Sequence, residues 1–145
     1  MRGKGNLKLP RFTAPPTGRD IELVHNTIKP YIRETPVMTS KSLNELAGCE
    51  LYFKCENFQT MGSFKTRGAV ARMAAISDEE RKRGVFTSSS GNFGVSFAYA
   101  CGLVGVKPLV SVPSVASEIK KRGVKRLGAI LYNCGPTLAT RMAAE

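Results

Sequence analysis

The sequence predicts an α/β fold, a three-layer arrangement with a parallel sheet and flanking helices. Short apolar segments at 85–88, 109–112 and 129–132 have the length of buried strands. The first two are each followed by a loop and a stretch of helical spacing, at 92–105 and 117–127. A strand, loop and helix repeated at this interval return the chain to the same sheet edge, so successive strands run parallel. The length of 145 residues suits one domain or a piece of a larger one. With 42% hydrophobic and 23% charged residues, disorder and fibrous repeats are excluded.

Taken in order, residues 1–19 are basic and rich in Gly and Pro, including Pro10, Pro15 and Pro16, and are expected to form a mobile extension. From Asp20, read as an N-cap, Ile21, Val24 and Ile28 recur at helical spacing until Pro30 and Thr35-Pro36 interrupt them. Ser40, or Ser42 with Glu45 in capping-box spacing, opens a short helix that Gly48 closes. Leu51, Phe53 and Cys55 then alternate with Tyr52 and Lys54 as in a strand, and an Ala-rich helix follows Lys65. After the strand at 85–88, a helix runs from Asn92 through Val95, Phe97, Ala98 and Cys101 to Gly105. The strand at 109–112 leads to a charged helix from Ser117 to Leu127, and Pro136 is placed to start one more helix after the strand at 129–132. The sequence stops within that last helix without a cap, and is therefore expected to be a truncated piece.

Twenty-two Lys and Arg against eleven Asp and Glu give a formal charge of +11. The basic residues fall in the extension, in Arg81-Lys82-Arg83 and in 120–126, which reads as one tail and two solvated helix faces. No helix-turn-helix, zinc-finger or RNP-like pattern accompanies them, so nucleic acid is not the expected partner. Residues 85–106 are 22 in a row without charge, but Thr87, Ser88, Ser89, Ser90, Asn92, Ser96 and four glycines make them a poor membrane span and a good buried strand, turn and helix. No signal peptide is visible, and no membrane association is expected. Four separated cysteines and the single His25 supply neither a metal site nor a disulfide framework, and reduced thiols point to a cytoplasmic location. A mechanism built on a catalytic histidine of this chain alone is excluded.

Two segments carry chemistry. In Glu56-Asn57-Phe58-Gln59-Thr60-Met61-Gly62-Ser63-Phe64-Lys65-Thr66-Arg67-Gly68-Ala69, Ser63 is read as an N-cap, which puts Lys65 in the first helical turn. The positive end of the helix dipole and the charge of Arg67 disfavour an ammonium there and free the amine as a nucleophile, as a Schiff-base lysine requires. A lysine at a helix start is ordinarily a solvated surface residue, so this segment alone does not decide. In Thr87-Ser88-Ser89-Ser90-Gly91-Asn92-Phe93-Gly94 a buried strand ends and a helix begins. Serine hydroxyls and freed amides at a helix start receive a carboxylate or phosphate, although the same residues build ordinary turns. Neither the dinucleotide nor the P-loop fingerprint is matched.

Together and in this order, the two segments resemble the fold type II pyridoxal-phosphate enzymes, the tryptophan-synthase-β-like superfamily, and most closely its threonine/serine dehydratase and serine racemase branch. The resemblance spans about residues 21 to 135. It rests on Thr35-Pro36, on Lys54 and the run from Glu56 to Ala69, on Ser89-Ser90-Gly91-Asn92, on Val112-Pro113 and on Leu127-Gly128-Ala129. Thr66 after the lysine, where cysteine and threonine synthases carry aspartate, leans toward the dehydratases. The resemblance makes 20–145 the N-terminal part of a catalytic domain, with about 84–145 as its smaller subdomain. It implies that Lys65 carries pyridoxal 5'-phosphate and later moves a proton, that Asn92 bonds the cofactor's ring hydroxyl, and that Phe64 helps wall the cofactor. Ser89, Asn92 and the amide of Phe93 would hold the substrate carboxylate. Ser90 stands where racemase-like members have a proton-donating serine and many dehydratases an alanine.

What the resemblance implies first is an ammonia-lyase converting threonine or serine to a 2-oxo acid and ammonia, homo-oligomeric at full length. Serine racemase or a β-replacing enzyme of the same superfamily is the alternative, and a non-catalytic remnant binding an anionic partner is a further one. Two departures stand out. Phe93 replaces a histidine usual in dehydratases and racemases, and the family's glycine-rich phosphate cradle is not within these 145 residues.

Overall fold

The computed structural model describes residues 7–11 and 13–136. The helix expected from Pro136 onward falls almost wholly on 137–145, outside the described residues.

Helix α1 (Gly18–Ile28) begins two residues before Asp20, because Thr17 and not Asp20 is its N-cap. The Thr17 hydroxyl accepts from the Asp20 amide at 3.3 Å while the Asp20 carboxylate accepts from the Thr17 amide at 2.7 Å. Reciprocal use of both side chains satisfies two amides that the helix leaves open, which a single Asp20 cap cannot do. The preceding extension is not free of the body. Leu7 is buried in the core, and the Leu9 amide donates to the Ala74 carbonyl at 2.9 Å.

Strand β1 (Val37–Met38) pairs antiparallel with β2 (Phe53–Lys54), and α2 (Lys41–Ala47) bridges them from Ser40 to a left-handed Gly48. The strand expected over 51–55 is thus limited to two residues, since β1 offers no longer partner. Two 3-10 turns, Glu56–Phe58 and Thr60–Gly62, lead into α3 (Lys65–Ala74). A further helix, α4 (Asp78–Arg83), has a Ser77/Glu80 capping box, acids in its first turn and bases in its last, an order that matches its dipole.

The parallel sheet is as expected. Strands β3 (Val85–Ser88), β4 (Pro108–Pro113) and β5 (Ile130–Cys134) lie in chain order and run parallel. Their crossovers are α5 (Asn92–Val104) and α6 (Glu118–Arg126). Gly105 ends α5 in the left-handed conformation at φ 72°, which costs glycine nothing, and its amide returns to the Cys101 and Gly102 carbonyls. Helix α5 covers the sheet face that carries Val110, and α3 packs on the outer side of α5. The core lies between them: Val70, Met73 and Ala74 of α3, Ala100 and Cys101 of α5, Val110 and Val112 of β4 and Val124 of α6 are at most 2% exposed. On the opposite sheet face, where the pleat places Phe86, Ile130 and Tyr132, these three side chains are exposed.

Candidate functional site

The two chemical segments meet through a pair of buried hydroxyls. Thr66, the second residue of α3, and Ser96, in the second turn of α5, are both fully buried and their oxygens lie 3.0 Å apart. The Thr66 hydroxyl donates to the Thr60 carbonyl, so its single hydrogen is spent and Ser96 is the donor between the two. This clamp sets the start of α3, with Lys65, beside the first turns of α5, which opens at Asn92.

The loop ahead of Lys65 is held by a second network. Glu56 receives the Arg67 fork, Nε at 2.9 Å and Nη2 at 2.7 Å, together with the Thr35 hydroxyl at 2.6 Å. The Arg67 hydrogen bonds hold the Glu56 carboxyl down at about 2, against a smaller opposing effect of burial and with help from Thr35. Gln59, buried, pairs its side-chain amide with the Arg33 backbone at 2.7 and 2.8 Å, as a strand neighbour would. Lys54 Nζ donates to the Thr35 carbonyl at 2.6 Å. Within this frame Met61 adopts φ 63°, a left-handed conformation that costs a non-glycine residue about 1–3 kcal/mol and persists because the surrounding bonds enforce it.

Lys65 is the first residue of α3, exposed, and its amine has no hydrogen bond or ion pair among the described residues. Ser63 is not the N-cap expected from the sequence. Phe64 occupies that position with helical φ and ψ and no side-chain cap, so the turn begins one residue late and leaves the buried Ser63 hydroxyl without a partner among the described residues. Phe64 itself is 61% exposed beside the lysine.

At the head of α5, the Ser89 hydroxyl accepts from the amides of Gly91 at 3.3 Å and Gly94 at 2.9 Å, and keeps its own hydrogen for donation. Its amide is tied to the Ser111 carbonyl at 2.9 Å, which fixes the loop to β4. The amides of Asn92 and Phe93 open the helix without partners inside it. Ser90 is exposed, with its hydroxyl unengaged among the described residues. The Phe93 ring stacks on Phe97, centroids 6.2 Å apart, and lines a cavity of about 480 Å³ with Met73 and Val85. At Phe93, only the backbone is therefore available to the loop. Asn92 Oδ1 accepts from Lys120 Nζ of α6.

An accessible amine on one helix start, with an amide donor, hydroxyls and open N–H groups on the next, is a donor set suited to an aldehyde that carries negative charge and to an amino-acid carboxylate. It offers nothing to a metal, and no cluster of three metal-ligating side chains exists among the described residues. Burial pushes the Cys101 thiol up to about 12, which removes it as a nucleophile. A larger cavity of about 620 Å³, between the extension, α1 and α3, contains none of these residues.

The family model for pyridoxal-phosphate dependent enzymes matches residues 28–145. The chain belongs to this family. It is a member of the fold type II, tryptophan-synthase-β-like superfamily, close to the serine racemases and threonine-type dehydratases, and covers part of the full-length enzyme. It is 44% identical over 126 residues to a beta-hydroxyaspartate dehydratase of Paracoccus denitrificans, covering 87% of this chain and 40% of that protein. It is 46% identical over 125 residues to a serine racemase of Dictyostelium discoideum, covering 86% and 39%. The structure of maize serine racemase superposes with a TM-score of 0.80 at 36% identity, covering 86% of this chain and 38% of that one. The chain thus spans about 40% of the length of the curated relatives it matches. No helix among the described residues is long and apolar enough to cross a membrane.

Three groups of this site were not singled out as functional from the sequence. Thr66 and Ser96 are ordinary small polar residues 30 positions apart, and nothing in the sequence pairs them. Glu56 has no role in the sequence reading, and Arg67, expected to act on Lys65 through its charge, is instead paired with the Glu56 carboxylate. Lys120 was hidden in a run of bases.

Proposed function

We propose that this chain carries the lysine and carboxylate-loop portion of a pyridoxal-phosphate site acting on a small hydroxy amino acid, and that the reaction is racemisation of serine. Bound there, the cofactor supplies the electron sink that makes the α-proton of an amino acid removable. Lys65 provides the amine that holds the cofactor and takes the proton. Asn92 would donate to the cofactor's ring oxygen, and Phe64, beside the lysine, would help wall the cofactor. The Ser89 hydroxyl and the Asn92 and Phe93 amides orient the substrate carboxylate at the positive end of α5.

The observation that carries racemisation over elimination is Ser90. Inverting a stereocentre needs a proton removed on one face and delivered on the other, so a second proton-bearing group is required besides Lys65. An exposed, unengaged hydroxyl on the α5 loop, while Lys65 comes from α3, supplies such a group. Similarity to the serine racemases supports this reading. Similarity to the beta-hydroxyaspartate dehydratase supports ammonia-lyase chemistry as the second reading.

The test is product analysis on the 145-residue chain with pyridoxal phosphate and L-serine, measuring D-serine and pyruvate. Lys65→Ala is expected to remove both products. Ser90→Ala is expected to lower D-serine about 100-fold, the usual scale for loss of a general acid, while pyruvate persists. D-serine formation that survives Ser90→Ala removes Ser90 from its role, pyruvate without D-serine from the parent chain turns the reading to the lyase, and absence of both products from the parent chain refutes activity in this chain.

A further inference from the structure

The contact between Lys120 and Asn92 plays no part in the argument for the reaction, yet three observations meet at it. Helices α5 and α6 both return the chain between strands of one parallel sheet and so run in the same direction. They approach closely at Gly123, where an added Cβ would stand 3.5 Å from Val95. Val95 lies three residues after Asn92 and Gly123 three after Lys120, so contact at the second pair brings the first pair together one turn earlier. An added Cβ at 123 would meet Val95 at ordinary van der Waals distance, so the two helices are in packing contact there.

Lys120 Nζ donates to Asn92 Oδ1. An ammonium has donors only, so the amide oxygen must face it and Nδ2 must face away. Nδ2 makes no hydrogen bond among the described residues. Lys120 has no carboxylate within 4.0 Å among them either, so the Asn92 amide oxygen is its one partner among the described residues.

We infer that Lys120 is a positioning residue that locks the Asn92 side chain with Nδ2 presented as a donor to the ring oxygen of the bound cofactor. The inference rests on the proposed function for the placement of Asn92. Without Lys120 the amide has two nearly isosteric orientations, and in the flipped one its oxygen would meet the ring oxygen, acceptor against acceptor. With Lys120 in place the flipped form is excluded, because it would set an NH₂ group against an ammonium. The cation also polarises the amide, which strengthens Nδ2–H as a donor.

The experiment uses the full 145-residue chain with Lys120→Met, Lys120→Gln and Lys120→Arg. The side-chain NH₂ resonances of Asn92, identified by their loss in Asn92→Asp, are followed by ¹H–¹⁵N NMR without cofactor, and pyridoxal phosphate is then titrated against the visible spectrum. Lys120→Met is expected to move the Asn92 NH₂ pair and weaken cofactor uptake about tenfold, the scale of one charge-assisted hydrogen bond, with Lys120→Arg restoring both. Lys120→Gln, a smaller change in packing, is expected to fall between them and guards against a folding defect in Lys120→Met. Unmoved Asn92 resonances in Lys120→Met and Lys120→Gln overturn the inference. So does cofactor affinity equal to the parent in variants whose resonances have moved. A parent chain that takes up no cofactor refutes the proposed function instead, and the amide resonances then decide the Lys120 inference by themselves.

Discussion

Replacing Thr66 by valine tests whether the clamp between α3 and α5 holds the site together. The substitution keeps the shape of the side chain, so no cavity forms, and it removes one hydroxyl from a fully buried position. Two groups lose partners: the Thr60 carbonyl, which accepts from Thr66, and the Ser96 hydroxyl, which donates to it. A buried polar group left without a partner costs about 1–3 kcal/mol. Ser96 has an escape, since a helical serine can turn its hydrogen to the carbonyl four residues back. The carbonyl of Thr60 has none in its own turn. The expected loss is therefore about 2 kcal/mol, which at about 2 kcal/mol/M moves a urea midpoint down by about 1 M. Ser96→Ala removes the donor of the pair, and in the double variant the two losses should fall short of their sum by about 1 kcal/mol. Urea denaturation of the parent, both single variants and the double variant measures all of this. A midpoint for Thr66→Val within about 0.2 M of the parent, or strict additivity of the two changes, refutes the clamp.

Acid should expose the Glu56 network. Glu56 is held at about 2, below its ordinary 4.5, so its contribution is complete above pH 4.5 and is lost as pH falls toward 2. Glu56→Gln should flatten stability across that window without removing all of the slope, because Glu80 is also held at about 2; an unchanged acid limb contradicts the network. Gly94→Ala should cost about 1–3 kcal/mol, since its Cβ would lie 3.3 Å from both Ser89 and Val110, and thermal melts that match the parent would show the loop to be looser than described. Lys65→Ala should leave the melt within about 0.5 kcal/mol of the parent, as for other exposed sites, and abolish the borohydride-reduced pyridoxal-phosphate adduct. Peptide mapping that finds the adduct elsewhere in the parent removes Lys65 from its role. Met73→Ala, at a side chain 1% exposed between α3 and α5, should cost about 2–5 kcal/mol by equilibrium unfolding, and a smaller loss would mean that the core there is not closed.

Local signals were legible wherever one residue's own chemistry sets the backbone. Strand β3 falls at 85–88 as its apolar run requires, α5 ends at Gly105 because the left-handed cap suits glycine, and Ser117 opens α6. The lysine segment and the serine-rich loop were legible for another reason, that their residues stand in the order of one family's motifs. Local reading failed where two residues share a task. The sequence offers Asp20 as a cap on its own, whereas it is half of a reciprocal pair with Thr17, and it offers Ser63 as a cap, whereas Phe64 holds that position. Leu7 and Leu9 sit in a segment whose composition reads as mobile, yet they gain apolar burial and a backbone partner that only the folded α3 can offer.

The sequence by itself thus determined the parallel sheet, its crossover helices, and the two motif segments at the heads of α3 and α5, because periodicity, capping and motif chemistry act over a few residues at a time. Tertiary structure alone decided which side chains hold those two segments in place. Thr66 with Ser96, Glu56 with Arg67 and Lys120 with Asn92 are pairs 30, 11 and 28 positions apart. A hydrogen bond acts over about 3 Å, so its partners are set by how the helices pack and not by their spacing along the chain.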